Sequence, residues 1–278
     1  MPGLFVVLWS TGFIAAKYGL PYAPPLKFLL VRFSLVAVLM ALVTLATRAP
    51  FPRSARQVAH IAIAAWLVHG VYLGGVFMSI AGGMPAGTSA MLVGLQPILT
   101  VLLARAWLGE RISARQWWGL ALGLAGVYFV VRRKIALEGD FTTLAPIVAA
   151  LVGISIGTLY QKKFCHHVDL RSGAVIQFAA CVAVYAPIVA WFEPQPIAWT
   201  PAFTFALSWS VLVLSVGAIS LLYWLLRHGA AADVARLFYL VPPVTALMAF
   251  ALFGERLDAL ALAGMVLIAV GVALARRR

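Results

Sequence analysis

The tetrapeptide "LGER" occupies residues 108–111, and "FGER" occupies residues 253–256, each directly after an apolar run. The two copies are offset by 145 residues in a chain of 278 residues that has only 8 acidic side chains. When the chain is aligned with itself at this offset, 19 of the 48 residues in 86–133 are identical to their counterparts, without a gap. We interpret the chain as a duplication.

The duplication reaches far beyond the tetrapeptide. It predicts a first repeat over residues 1–134, a linker over 135–141 and a second repeat over 142–278. The matched pairs include Ser10 and Ser155, Gly12 and Gly157, Lys17 and Lys162, Pro97 and Pro242, Thr100 and Thr245, Gly119 and Gly264, and Gly126 and Gly271.

The composition indicates a membrane protein. The chain is 64% hydrophobic and 10% charged, with a mean hydropathy of +1.01, whereas about a quarter of the residues of a soluble domain are charged. A helix that spans a bilayer needs about 20 apolar residues. The apolar stretches predict ten such helices, at 3–20, 26–47, 57–80, 86–107, 115–133, 142–164, 171–192, 203–226, 232–253 and 259–277.

Each predicted repeat contains five helices, and an odd number makes the second repeat enter the membrane from the opposite side. The fold class predicted is therefore an all-α integral membrane protein with two inverted five-helix repeats, an arrangement that recurs in secondary transporters. With the N-terminus inside, 14 of the 21 Lys and Arg residues lie on the cytoplasmic side, as expected of cytoplasmic loops. We expect a bacterial inner-membrane protein with both termini in the cytoplasm, and the net charge of +13 then needs no nucleic-acid partner.

The Gly-Glu-Arg motif itself is typical of a helix end. Glycine is common just after a helix, and Ser113 and Asp258 are suitable N-cap residues for the helix that follows each motif. A structural role is therefore favoured over catalysis for the six motif residues, which are Gly109, Glu110, Arg111, Gly254, Glu255 and Arg256. "CHH" at 165–167 lacks the spaced ligand pairs of a zinc site, so we expect no metal and no cofactor.

The first predicted helix starts almost at Met1. It has no basic segment before it and no small-residue cleavage pattern after it. We interpret it as a retained helix and not as a signal peptide.

The residues also resemble a known family. "W-S-x-G-F-x-x-x-K" at 9–17, Pro97 and Pro242 in small-residue helices, and the repeated "G-E-R…G…G" are similar to the EamA family of the drug/metabolite transporter superfamily. Within it, the chain most resembles YddG-type aromatic amino-acid exporters. The resemblance implies a ten-helix basket with a central cavity lined mainly by helices 1, 3, 4, 6, 8 and 9. The two repeats differ at some of these positions, because the counterpart of Trp9 is Ile154 and the counterpart of Gln96 is Val241.

The candidate cavity residues are aromatic or small and polar. Aromatic rings with a polar tip offer stacking surface and hydrogen bonds to an amphipathic solute, although Trp and Tyr also form interfacial belts and small residues also allow close helix packing. Tyr72 and Gln96, which lie near mid-helix, are the favoured candidates. The candidates are Trp9, Ser10, Phe13, His69, Tyr72, Ser79, Ser89, Gln96, Ser155, Tyr160, Tyr223, Trp224, Phe238 and Tyr239.

Pro97 and Pro242 are predicted to interrupt the hydrogen bonding of helices 4 and 9. The kinks would either form part of a gate or serve as architectural bends.

The charges inside the predicted helices bear on energy coupling. No carboxylate lies in mid-helix to relay protons, and no nucleotide-binding motif is present. Arg32, Lys17 and Lys162 are expected to extend towards the membrane surface. His69 is either a titrating group or a neutral hydrogen-bonded lining residue. We therefore predict facilitated diffusion down the gradient of the substrate. We also expect the protein to act as a monomer.

Three functions remain open. The first is export of small amphipathic metabolites, in particular aromatic amino acids, by alternating access. The second is export or flipping of another solute, such as threonine-like amino acids, drugs or lipid-linked metabolites, because function depends on the site and not on the fold. The third is a membrane-embedded enzyme, for which no acid, nucleophile or metal constellation is visible.

Overall fold

The computed structural model describes residues 2–108, 113–138, 142–165, 168–218, 221, 225, 237–255 and 259–275. The side chains at 104, 107, 108, 130–138, 239 and 275 are outside this description.

The regular structure of the described residues is helical throughout, without a strand. The helices are α1 (Pro2–Gly19), α2 (Pro25–Ala46), α3 (Ala55–Ala81), α4 (Ala86–Val93 and Gln96–Leu108), α5 (Ala114–Glu138), α6 (Leu144–Phe164), α7 (Leu170–Phe192), α8 (Pro201–Ala218), α9 (Val241–Phe253) and α10 (Ala259–Ala275). Short 3-10 turns occupy Leu20–Tyr22 and Phe238–Leu240.

Seven of the described helices are long and apolar enough to cross a membrane, namely α1, α2, α3, α4, α6, α7 and α8. The outer surface agrees with this assignment, because Leu45, Trp118 and Leu247 are about 70% exposed. Exposure of such large apolar side chains is unfavourable in water but not in the apolar interior of a bilayer. The expected all-helical membrane class is therefore confirmed. Most of 219–236, which the sequence places at the end of helix 8 and the start of helix 9, lies outside the described residues.

Several helices begin at capping residues that local sequence rules recognise. The hydroxyl of Ser54 accepts a hydrogen bond from the backbone N–H of Gln57 at the start of α3. Asp169 caps α7 and Thr200 caps α8 in the same way. Each side chain satisfies a donor that a helix start leaves without an intrahelical partner.

Two helices contain π-helical segments that the sequence did not predict. Trp66–Val71 lies within α3, and Trp209–Ala218 forms the second part of α8. At the repeat offset, residues 66–71 correspond to 211–216, so the two segments are equivalent. Such segments are rare, and they occur frequently at functional sites.

Pro97 and Pro242 stand near helix starts, which differs from the expected kink within a continuous helix. The first part of α4 ends at Val93, Gly94 and Leu95 form a turn, and Pro97 is the second residue of the part that resumes. Pro242 is likewise in the first turn of α9, directly after a 3-10 turn. In a first turn the missing N–H of proline has no intrahelical partner to lose.

Several helix contacts follow the repeat, because each joins two equivalent helices or has an equivalent contact in the other half. Helix α2 packs along α7, and α5 packs along α10. Helix α1 packs on α9, and the second part of α4 packs on α6. The centre is filled by fully buried phenylalanines at 5, 28, 33, 77 and 203.

Candidate functional site

A cavity with a volume of about 290 Å³ lies among the helices. Its walls come from the six helices that the family resemblance implies, and α2 adds Arg32. The lining residues are Trp9, Gly12, Phe13, Arg32, Val68, His69, Tyr72, Leu73, Val76, Phe77, Gln96, Ile154, Thr158, Leu214, Ala218 and Phe238. Both π-helical segments contribute, through Val68 and His69 in α3 and through Leu214 and Ala218 in α8.

One wall of the cavity is aromatic. The rings of Trp9 and Phe238 meet edge to face with centroids 5.1 Å apart, and the buried Phe5 contacts both rings from behind. Phe13 and Tyr72 extend the same surface. This wall offers a planar apolar solute several faces and edges for stacking.

The polar groups of the cavity are few and mostly engaged. His69 Nε2 lies 3.0 Å from Gln177 Oε1, and its ring stacks on Phe178 with a centroid distance of 4.8 Å. Gln96 Nε2 donates to Thr158 Oγ1 over 3.4 Å. Both His69 and Gln96 are therefore held by other helices while they line the cavity.

Arg32 is in the cavity, and the expectation that it extends to the membrane surface is wrong. The residue is only 8% exposed. Its Nη2 donates to Ser215 Oγ over 3.3 Å, and its buried Nε has no hydrogen-bond partner among the residues that the structure describes. The π-helical part of α8 supplies the hydroxyl that holds the guanidinium inside. The sequence could not reveal that partner, because Ser215 is 183 residues away.

A second, smaller pocket of about 80 Å³ adjoins the first. The two share Trp9, Phe13, Tyr72, Gln96, Ile154 and Phe238. The smaller pocket also contacts Gly94 and Pro97 in α4 and Val241 and Pro242 at the start of α9. Both helix interruptions therefore meet at one end of the cavity.

Several predicted candidates lie outside the lining. Ser10 donates to the carbonyl of Val241 over 3.3 Å, and its repeat counterpart Ser155 donates to Leu151 over 2.7 Å. Ser79 donates to the carbonyl of Thr143 over 2.8 Å. Ser10 and Ser79 therefore bond to the backbone of a neighbouring segment, whereas Ser155 bonds to the carbonyl one turn earlier in its own helix.

Ser89 and Tyr160 also lie away from the cavity. Ser89 is buried, and its hydroxyl has no hydrogen-bond partner in the described part of the chain. The Tyr160 hydroxyl lies 2.7 Å from His60 Nδ1. Tyr223 and Trp224 fall outside the described residues, as does the side chain of Tyr239. Sequence reasoning missed Arg32 and Thr158. The signal that could have found Thr158 is the repeat offset, which makes it the counterpart of the candidate Phe13.

The second Gly-Glu-Arg motif lies where three helices meet. Gly254 ends α9 in the left-handed conformation, with φ of 66°, which glycine adopts without steric penalty. The Glu255 carboxylate pairs with Lys17 of α1 and accepts from the N–H groups of Ala86 and Gly87 over 3.1 and 3.4 Å. A negative charge at the start of α4 is favourable. Gly109, Glu110, Arg111 and Arg256 lie outside the described residues.

Comparison with solved structures identifies a similar fold. One crystal structure superposes with a TM-score of 0.68 at 19% sequence identity, and the match covers 99% of this chain and 95% of that one. At this identity the match supports the fold alone.

Curated proteins of similar length also match. A probable terminal-alkyne amino-acid exporter of Streptantibioticus cattleyicolor is 29% identical over 99% of this chain and 92% of its own. A probable amino-acid metabolite efflux pump of Escherichia coli is 27% identical over 97% and 91%. The uncharacterized transporter YvbV of Bacillus subtilis is 27% identical over 97% and 88%.

The family model for EamA-like transporters matches residues 4–132 and again residues 143–277. The two matches together cover nearly the whole chain. The protein is thus a multi-pass membrane protein and belongs to the EamA-like transporter family.

Proposed function

We propose that the protein is a secondary transporter that exports small amphipathic metabolites, with aromatic amino acids as the preferred class, across the bacterial inner membrane. The observation that carries this proposal is the cavity among the helices, which has an aromatic wall and a few fixed polar groups. Its volume of about 290 Å³ is just below the range of about 300–1,000 Å³ usual for small-molecule sites, which suits a single small metabolite. Two of the relatives above are named as exporters of amino acids or their metabolites.

We propose ten helices in two inverted repeats, over 1–134 and 142–278 with the linker 135–141. Two close approaches between α5 and α10 support this arrangement. A Cβ atom added to Gly126 would lie 2.6 Å from the carbonyl oxygen of Gly264, and one added to Gly271 would lie 2.6 Å from that of Gly119. The repeat offset exchanges these two contacts. Two contacts that are exchanged in this way are expected of a two-fold axis. In this proposal the axis relates the two halves of one chain.

Alternating access needs a closure on each side of the cavity. The ion pair of Lys17 with Glu255, together with the backbone contacts of Glu255 at the start of α4, ties α1, α4 and the end of α9 together. The predicted topology places this cluster on the external side. We propose that it closes the external side in this conformation and separates during export.

Transport without tight ion coupling is part of the proposal. No carboxylate is among the described residues that line the cavity, and His69 is already hydrogen-bonded to Gln177. The solute gradient would then drive export by itself.

The function is tested with purified protein in proteoliposomes. We expect labelled tryptophan to exchange against internal unlabelled tryptophan, with slower exchange of threonine, and we expect an imposed pH gradient to leave net tryptophan flux nearly unchanged. Protein-free liposomes serve as the control. Exchange of threonine alone would shift the proposal to another solute, and uphill accumulation driven by protons would reject the uncoupled mechanism.

The inverted topology predicts opposite labelling of equivalent loops. The protein contains Cys165 and Cys181, so both are first replaced by serine. Single cysteines at Ser113 and Asp258 should then react with a membrane-impermeant maleimide from opposite faces, Ser113→Cys from the cytoplasm and Asp258→Cys from outside. Labelling of both positions from the same face would contradict the inverted repeat.

A further inference from the structure

We infer that Arg32 binds a carboxylate of the solute that occupies the cavity, an inference that rests on the proposed transport function and specifies its substrate. Arg32 is more than nine-tenths buried and lines the larger cavity, and among the described residues its guanidinium donates to Ser215 alone while its buried Nε has no hydrogen-bond partner. A buried polar group without a partner is costly, and more so when it carries charge. The solute would supply an acceptor to the guanidinium where it lines the cavity.

No described carboxylate neutralises Arg32. Glu255 pairs with Lys17, and Asp169 pairs with Arg171. Glu193 accepts from the backbone N–H groups of Leu26 and Lys27 at the start of α2. Among the described lining residues, Arg32 therefore brings a full positive charge to the cavity without an acidic neighbour, and ionisable groups inside a membrane protein typically mark substrate pathways.

The geometry suits a carboxylate in particular. The guanidinium is planar and presents five N–H donors in a fixed fork. One of its terminal nitrogens, Nη2, is used by Ser215, whose own hydroxyl donates to the carbonyl of Ser210 over 3.0 Å. Ser215 thus fixes the orientation of the guanidinium at the cavity. A planar carboxylate matches such a fork because it can accept two parallel N–H groups.

The rest of the cavity defines the rest of the solute. Tyr72 and Phe77 line the same cavity as Arg32, and Trp9, Phe13 and Phe238 form its aromatic wall. The ligand class is therefore a carboxylate with an apolar or aromatic body. Because no acid is among the described lining residues, a free ammonium group is not required for binding, and an N-acylated amino acid should bind as well.

The test uses two probes that differ only in the carboxyl group, N-acetyltryptophan and its amide. Affinities are measured from the dose-dependent thermal stabilisation of the full-length protein in detergent. We expect the wild type to bind the carboxylate at least tenfold more tightly than the amide. Arg32→Gln should reduce this ratio to near one, and Arg32→Lys should retain part of it, because lysine keeps the charge but lacks the fork. Arg53→Gln, the same substitution at an exposed loop position, should behave as wild type.

Equal affinity of the wild type for both probes, binding of neither probe, or an unchanged ratio in Arg32→Gln would each overturn the inference. If Arg32→Gln does not fold, the ratio in Arg32→Lys decides, and no decrease there would overturn it. The outcome is separable from that of the proposed function. Tryptophan exchange without a carboxylate preference would support the transport function and reject the role of Arg32. An Arg32-dependent preference without tryptophan exchange would support the carboxylate site and reject the aromatic amino-acid exporter.

Discussion

Leucine at Gly126 should destabilise the protein about as much as leucine at Gly271, although the two residues are in different halves of the sequence. Each glycine lets the backbones of α5 and α10 approach so closely that an added Cβ would lie 2.6 Å from a backbone carbonyl oxygen of the other helix. A backbone cannot move aside as a side chain can, so the helices must separate. Overpacking typically costs about 1–3 kcal/mol, and sometimes more. We expect a large decrease in the thermal unfolding midpoint in detergent and little folded protein in membranes.

Gly3→Leu provides the matched control. Gly3 lies in α1, and a Cβ at this position would meet nothing within 4 Å. It should leave the unfolding midpoint near that of wild type. A small effect at Gly126 with a large one at Gly271 would contradict the two-fold relation between the contacts.

The double variant carries a sharper expectation. Once leucine at one position has separated α5 from α10, leucine at the other meets a gap that is already open. The combined loss of stability should therefore be smaller than the sum of the two single losses, as expected for residues that share one contact. Strict additivity would indicate that the glycines act separately.

The sequence predicts much of this fold because the decisive signals are local or repeated. Long apolar runs separate the helices, and the break at 81–87 between the third and fourth predicted helices lies where α3 ends at Ala81 and α4 begins at Ala86. Glycine pairs seven residues apart, such as Gly119 with Gly126, recur at the offset and lie at the contact of α5 with α10. These features depend on residues near one another in the chain or on their exact copies.

The cavity was harder to predict, because lining depends on which side of a helix faces inward. Trp9, Phe13, His69, Tyr72, Gln96 and Phe238 line the described cavity, whereas Ser10, one residue from Trp9, bonds to a neighbouring helix. The π-helical segments shift the inward face of α3 and α8, and the hydrophobic pattern gives no sign of them. Arg32 was assigned to the surface for a related reason. Its partner Ser215 lies in one of these segments, and only the packed structure brings the two together.

Tyr72 and Gln96 occupy the position where substitutions should affect transport most. Both line the larger cavity and the smaller pocket beside the two helix interruptions, so a solute that moves between them must pass these side chains. An aromatic contact contributes about 0.5–1.5 kcal/mol beyond burial, and about 1.4 kcal/mol corresponds to a factor of ten. Tyr72→Ala should therefore reduce tryptophan exchange several-fold.

Gln96→Leu should also reduce tryptophan exchange several-fold while the protein stays folded. The substitution keeps the approximate size of the side chain but removes its hydrogen-bonding groups from the cavity. It leaves no unsatisfied donor on Thr158, whose hydroxyl already donates to the carbonyl of Ile154 over 2.9 Å. An unsatisfied buried hydrogen-bonding group would destabilise the fold, and this substitution creates none on Thr158. A loss of exchange would therefore indicate weaker interaction with the solute and not a loss of folded protein.

Matched controls separate a role in transport from a role in packing. Tyr128→Ala removes a tyrosine that is 63% exposed on α5, and Gln57→Leu removes an amide from the first turn of α3, outside the cavity. Both should exchange tryptophan at close to the wild-type rate. Expression and unfolding midpoints of the Tyr72 and Gln96 variants should also stay near wild type. If both variants transport normally, or if they lose transport only in proportion to lost folded protein, Tyr72 and Gln96 are packing residues and the solute path does not run between the two pockets.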